Sequence, residues 1–232
     1  ILSLGKTSWQ HKPYTVRILG DPDPAVGVAL DKDILLDPDT GDLALTQRLR
    51  NIGKTNVSYS VWSRTALKPG GYALLPLDKK KDGVPSWTVH NLYKGSFVFD
   101  GTQYVSLNVR EMDDVLVVYC DSEPTKLGAH SSAQWMAYVY DDLLFVKYTP
   151  YFPGGNYTEG GNTLELYFDR NVAELQALSP EVELAPKQNY AFPEKWMLIQ
   201  LPKPVLTFKD ARKLAKQIPE PPFAAPDRKR RK

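Results

Sequence analysis

Glu165 stands in Leu164-Glu165-Leu166-Tyr167, where period-2 alternation puts Glu165 and Tyr167 on one strand face and the two leucines on the other. A carboxylate on such a face can line a cleft, or it can form an ordinary ion pair. Glu159, in the loop just before it, is a weaker candidate that reads as a solvated charge. Of the three histidines, His11 lies near the terminus and is expected to be exposed. His90, in Trp87-Thr-Val-His90-Asn-Leu-Tyr93, shares a strand face with Thr88, and His130 sits in the loop Gly128-Ala-His130-Ser-Ser. A carboxylate and an imidazole are suited to proton transfer near neutral pH. The catalytic candidates are therefore Glu165, His90 and His130.

Cations and aromatics supply candidates for binding. Lys126 and Lys147 could hold hydroxyls, a carboxylate or a phosphate from an inner sheet face, or could be solvated on an outer one. Trp135 and Tyr167 offer rings or a phenol to a ligand, whereas Trp62 reads first as core packing. The histidines are far apart and Cys120 is alone, so no metal site is expected. No dinucleotide or phosphate-loop glycine pattern occurs, nor a nucleophile elbow, and no cofactor is expected.

The elements that must position these groups are strands. Period-2 patterns cover residues 14–19, 43–49, 57–65, 71–77, 86–92, 96–99, 104–109 and 115–121. They continue over 134–140, 143–148, 162–168, 172–178 and 195–201. Turn signals such as Asp39-Thr40-Gly41 and Asp141-Asp142 separate them. One helix is expected over 208–218, capped by Thr207 and stopped by Pro219. The proline-rich basic segment 219–232 is expected to be solvated and to contribute little stability. Loop 150–161, with Pro153-Gly154-Gly155, is long enough to close over a ligand.

Composition narrows the classes. The formal charge of +2, from 29 basic and 27 acidic residues, gives no general pull toward nucleic acid. No apolar run is long enough to span a bilayer as a helix. Cys120, in an apolar run, reads as a buried inert thiol, and the lack of disulfides fits a cytosolic protein or a secreted bacterial one. A periplasmic or secreted address is favoured over a cytoplasmic one. The chain opens on Ile1, so either a leader has been removed or an amino-terminal segment that completes the domain is missing.

Three segments carry a family resemblance. The first is the long alternating strand Leu43-Ala-Leu-Thr-Gln-Arg-Leu-Arg-Asn51 with Ser60-Val-Trp62-Ser-Arg-Thr65. The second is Lys126-Leu-Gly128 with Trp135-Met-Ala-Tyr138 and Leu144-Phe-Val-Lys147. The third is Gly161-Asn-Thr-Leu-Glu165-Leu-Tyr167, then Glu174-Leu-Gln-Ala-Leu-Ser-Pro180, Leu184-Ala-Pro186 and Glu194-Lys-Trp196. Together they resemble the galactose-mutarotase-like supersandwich proteins, and most closely an uncharacterised branch of them. The resemblance implies an all-β antiparallel supersandwich over 1–206, with the short helix at 207–218 and the basic tail at 219–232.

The resemblance also implies chemistry on a sugar hemiacetal, with a Glu base and His acids on the concave face of the large sheet. Glu165 would be the base and His90 or His130 the acid, with Lys126, Trp135, Lys147 and Tyr167 holding the sugar. The histidines do not match the motifs of active mutarotases. The expectation is a carbohydrate-binding protein, with aldose 1-epimerase-like isomerase activity as its finer form. The alternative is a non-catalytic structural or protein-binding sandwich. Convergence of Glu165, a histidine and Lys147 on one cleft would favour the first, and their scatter the second.

Overall fold

Strand formation follows the sequence pattern, because one face of each strand is apolar and must be covered. The computed structural model describes residues 7–79, 85–92 and 98–223. In chain order the strands are β1 (Thr7–Lys12), β2 (Thr15–Gly20), β3 (Val28–Leu36), β4 (Leu43–Asn51), β5 (Val57–Tyr59) and β6 (Trp62–Leu67). They continue with β7 (Tyr72–Pro76), β8 (Trp87–His90), β9 (Val98–Asp100), β10 (Val109–Met112), β11 (Val115–Tyr119) and β12 (Thr125–Ala129). The last are β13 (Trp135–Tyr140), β14 (Leu143–Tyr148), β15 (Leu164–Phe168), β16 (Ala173–Leu178), β17 (Val182–Leu184) and β18 (Asn189–Gln200), followed by the helix α1 (Phe208–Leu214).

Antiparallel pairing joins these strands into a ten-stranded sheet, β1-β2-β3-β4-β18-β14-β13-β7-β11-β10, and a six-stranded sheet, β6-β16-β15-β12-β8-β9. A small β17-β5 pair completes the set. The main core lies between the two large sheets. From the six-stranded sheet, Leu164, Leu166, Phe168, Leu175 and Leu127 point inward, and from the long sheet Leu75, Leu116, Met136, Phe145 and Phe192 meet them. Each such fully buried side chain is worth about 1.5–3 kcal/mol of transfer free energy.

A second core lies on the opposite face of the long sheet, under α1, where Leu74, Val117, Val146 and Tyr148 pack against Ala211 and Leu214. Strands β7 and β11 are thus covered on both faces, and they read as unbroken apolar runs rather than alternating ones. Burial pushes the Cys120 thiol far up, as expected for an inert core cysteine.

Several expected elements are revised. β3 carries Asp31, Lys32 and Asp33, and this charge hid it in the sequence. The charges are neutralised across the sheet, where Arg50 binds Asp31 at 2.7 Å and Arg17 and Arg48 flank Asp33. The expected strand over 57–65 splits into β5 and β6, which join different sheets. Residues 104–108 form no strand; Val105 and Leu107 are exposed, and the ladder starts at Val109. The strand expected over 96–99 lies partly outside the described residues.

β18 begins six residues earlier than expected, running through Pro193. Pro193 pairs with Thr46 of β4 but lies beyond the end of the ladder with β14, which stops at Lys195. Among the described residues, no strand on that side requires the N–H that proline lacks.

The helix is shorter than the expected 208–218. Thr207 caps it by accepting from the Asp210 N–H at 3.1 Å, and it closes after Leu214 in a turn. The segment after it is docked where it is described. Pro219 accepts a hydrogen bond from the Tyr148 hydroxyl at 3.0 Å, and Phe223 packs on the second core. The expected solvated segment is thus anchored at Pro219 and Phe223, although Pro219, Glu220 and Pro222 are exposed, while 224–232 lie outside the described residues.

Candidate functional site

Adjacent strands of the six-stranded sheet bring three of the expected site residues together. In β15 the inward leucines leave Glu165 and Tyr167 on the outer face. Register places Glu165 opposite Gly128 and Thr88, and Tyr167 opposite Lys126 and His90. Glu165 Oε1 lies 3.1 Å from His90 Nε2, and its Oε2 lies 3.1 Å from Lys126 Nζ. The Glu165 side chain is 0 % exposed, yet neither oxygen accepts a hydrogen bond of good geometry.

Gly128 makes room for this group. A Cβ there would meet the Asn162 amide nitrogen at 2.0 Å. That amide donates to Thr88 Oγ1 at 2.9 Å and to the Glu159 carbonyl at 2.7 Å, and lies 3.4 Å from His90 Nε2. The carbonyl bond ties down the end of loop 150–161. It carries the Glu159 carboxylate to 3.4 Å from Lys126 and 3.7 Å from His90 Nδ1. Trp62, on β6, donates to Gln176 Oε1 and lays its ring 4.7 Å from the Lys126 ammonium. It belongs to this outer face and not to the core.

Lys147 is elsewhere. It points from the long sheet into the sandwich interior, where it is 0 % exposed and faces Glu194 Oε2 at 3.3 Å. Its ammonium donates to the Ser63 carbonyl and hydroxyl and to Thr65 Oγ1. Glu194 accepts from Gln47 Nε2 at 2.9 Å and from Trp196 Nε1 at 3.0 Å. Burial pushes the Glu194 carboxyl up, but the charge of Lys147 and the hydrogen bonds from Ser63, Trp196 and Gln47 outweigh it and hold the group below its ordinary value. This pair clamps β6 to the long sheet and leaves neither charge free for a ligand.

Of the remaining candidates, His130 and Trp135 also fall away from Glu165, and Tyr167 stays on its face. His130 follows β12, with Nδ1 3.9 Å from Asp78 and no hydrogen bond to it. Trp135 packs with the second core on the helix side of the long sheet. Tyr167 shares the outer face, and its hydroxyl donates to Asp169 Oδ2. The surface expected to join Glu165, His130, Trp135 and Lys147 does not exist, because Glu165, Trp135 and Lys147 lie on different faces of two sheets and His130 follows β12. Of the three groups whose convergence would favour a sugar site, Glu165 and a histidine meet and Lys147 does not, so at this face the criterion goes against a sugar site.

A separate cleft opens at the free edge of the six-stranded sheet. It has a volume of about 260 Å³ and runs between β3 and β4 of the long sheet and the 59–64 segment. Leu30 and Leu49 floor it, Tyr59 and Trp62 supply rings, and Gln47 and Arg64 supply polar groups. Ser60 lines it with a buried hydroxyl that has no hydrogen-bond partner among the described residues. Gln47 connects the cleft to Glu194.

Gln47 and Glu194 stand in segments that carry the resemblance but were not among the expected site residues. Their signal was a polar residue on the apolar face of an alternating strand, as in Leu45-Thr-Gln47-Arg-Leu49. Ser60 carried no such signal.

No family profile matches the sequence, and no curated protein is similar to it. Solved structures are similar in fold. A provisionally assigned aldose 1-epimerase of Escherichia coli K12 superposes with a TM-score of 0.61 at 8 % identity, over 85 % of this chain and 70 % of that one. A galactose mutarotase-like protein of Lactobacillus casei gives 0.55 at 10 % identity, over 84 % and 72 %. A TPR-domain-containing protein of Parabacteroides distasonis also gives 0.55, at 15 % identity, over 85 % of this chain and 35 % of that one. The chain has the galactose-mutarotase-like fold, an all-β antiparallel sandwich.

Proposed function

We propose that this chain is a carbohydrate-binding module that holds a sugar in the cleft between β3, β4 and the 59–64 segment. The observation that carries the reading is the Ser60 hydroxyl, buried in the cleft wall without a partner and flanked by Tyr59 and Trp62. A buried polar group without a partner is costly, and a ligand hydroxyl would relieve that cost. Tyr59 and Trp62 suit stacking on the apolar face of a pyranose, while Gln47 and Arg64 suit its hydroxyls. Two of the structurally similar proteins are described as a provisionally assigned aldose 1-epimerase and as galactose mutarotase-like, which agrees with a sugar ligand.

Binding without turnover is the form this reading takes at the cleft. Mutarotation needs a base for the anomeric hydroxyl proton and an acid for the ring oxygen. Glu194, the carboxylate behind Gln47, is held ionised by the Lys147 charge and by hydrogen bonds from Ser63, Trp196 and Gln47, and is a poor proton acceptor. No histidine lines the cleft among the described residues. A second reading rests on Glu165 and His90 at 3.1 Å, beside a shallower dent of about 200 Å³ that touches His90 and Lys126. There Glu165 would be the base of an epimerase.

Polarimetry on freshly dissolved aldoses separates the two readings, and calorimetry tests binding. Sugar binding without faster mutarotation supports the module. Mutarotation that disappears in Glu165→Gln supports the epimerase.

A further inference from the structure

His90, Glu159 and Glu165 each offer one ligand atom, and these atoms lie within 4.8 Å of one another. We propose that they form a binding site for a divalent transition-metal ion such as Zn²⁺ or Mn²⁺, with the Lys126 ammonium taking the cation's place when it is empty. The site lies on the outer face of the six-stranded sheet and is separated from the cleft proposed to hold sugar by Trp62, which borders both.

One imidazole and two carboxylates form a mixed nitrogen and oxygen set that suits zinc or manganese. Two of the three ligands are fixed by the sheet. His90 and Glu165 stand on β8 and β15, flanking β12, and their nearest atoms are already 3.1 Å apart. Ligands bound at about 2.0–2.2 Å to a common ion stand about this far from each other. The third ligand, Glu159, comes from a loop and its side chain is 40 % exposed, so it can move the remaining distance.

Glu165 supplies the independent sign of a ligand. Its side chain is fully buried with two carboxylate oxygens that accept no hydrogen bond of good geometry from the described residues. A buried carboxylate left in that state is costly, and a coordinated cation would satisfy both its charge and its lone pairs. Lys126 meets the charge requirement alone. Its ammonium is 3.1 Å from Glu165 and 3.4 Å from Glu159, where a metal would stand. The Trp62 ring, 4.7 Å from the same ammonium, helps to hold it there in the empty site. Three protein ligands leave coordination positions for water, as in metal sites that remain open.

The test is calorimetric titration of the chelator-stripped full chain with ZnCl₂ and, separately, MnCl₂. The expected result is saturable binding of a single equivalent of at least one of these metals. Glu165→Gln and Glu159→Gln should each weaken it at least about tenfold, in the range seen when a metal's protein partners are altered. Lys126→Met should tighten it by removing the competing charge. Absence of binding by the natural chain overturns the proposal, whatever Lys126→Met does. Binding that survives both Glu substitutions, or that disappears in His130→Gln instead, also overturns it. Glu159 lies on a loop, so Glu159→Gln keeps the test decisive if Glu165→Gln does not fold.

Discussion

Lys147 Nζ and Glu194 Oε2 face each other at 3.3 Å inside the sandwich, and both side chains are fully buried. This relationship gives the fold a pH dependence. The folded-state value of Glu194 is depressed, so its contribution to stability is complete above the unfolded value of about 4.3. It is lost as pH falls from there through the lower folded value. Glu194→Gln should flatten the acid limb of the stability profile. Denaturant midpoints measured between pH 2 and 7 on both proteins check this.

Removing one partner should be worse than removing both. Lys147→Met leaves an uncompensated carboxylate among the Gln47, Ser63 and Trp196 groups. That should cost about 3–5 kcal/mol, whereas replacing both charges by apolar residues of similar volume should cost less. Urea unfolding of the single and double variants decides it, and equal losses would contradict the account.

Gly128→Ala should disorganise the outer-face cluster. Its Cβ would sit 2.0 Å from the Asn162 amide that joins Thr88 to the Glu159 carbonyl. Overpacking of this kind costs about 1–3 kcal/mol. Thermal unfolding reads the loss, and an unchanged melting temperature would mean that Asn162 is not held there.

Truncation after Ile218 should be felt, against the expectation from composition. It removes the Tyr148–Pro219 hydrogen bond and the apolar cover of Phe223. Together these are worth about 2 kcal/mol. For a chain of this size that corresponds to a drop of about 4–8 °C in melting temperature. A drop below 1 °C would show that the segment is not docked in solution.

The strands were legible where one face is covered and the other is wetter, as in β4, and so was the sandwich class. β3 was not, because its charges are neutralised by arginines on other strands, and that pairing is visible only in three dimensions. Glu165 and Tyr167 could be placed on one face from alternation alone. Which residues would join them could not, since register decides that Lys126 and His90 are neighbours while Lys147 belongs to the other sheet. His90 is distant in sequence from Glu159 and Glu165, so spacing suggested no metal ligands, yet strand pairing and the Asn162 bonds bring the three together. The cleft was the least legible feature, because it exists only where the edge of one sheet stands over the other.

The most direct test of the sugar-binding account is calorimetric titration of neutral, amino and acidic hexoses against the natural chain and Ser60→Ala. The account predicts that at least one sugar binds. It also predicts that Ser60→Ala, which removes the hydroxyl from the cleft wall, weakens that binding by roughly five- to 150-fold. Absence of binding by every sugar, or binding that Ser60→Ala leaves unchanged, would contradict it.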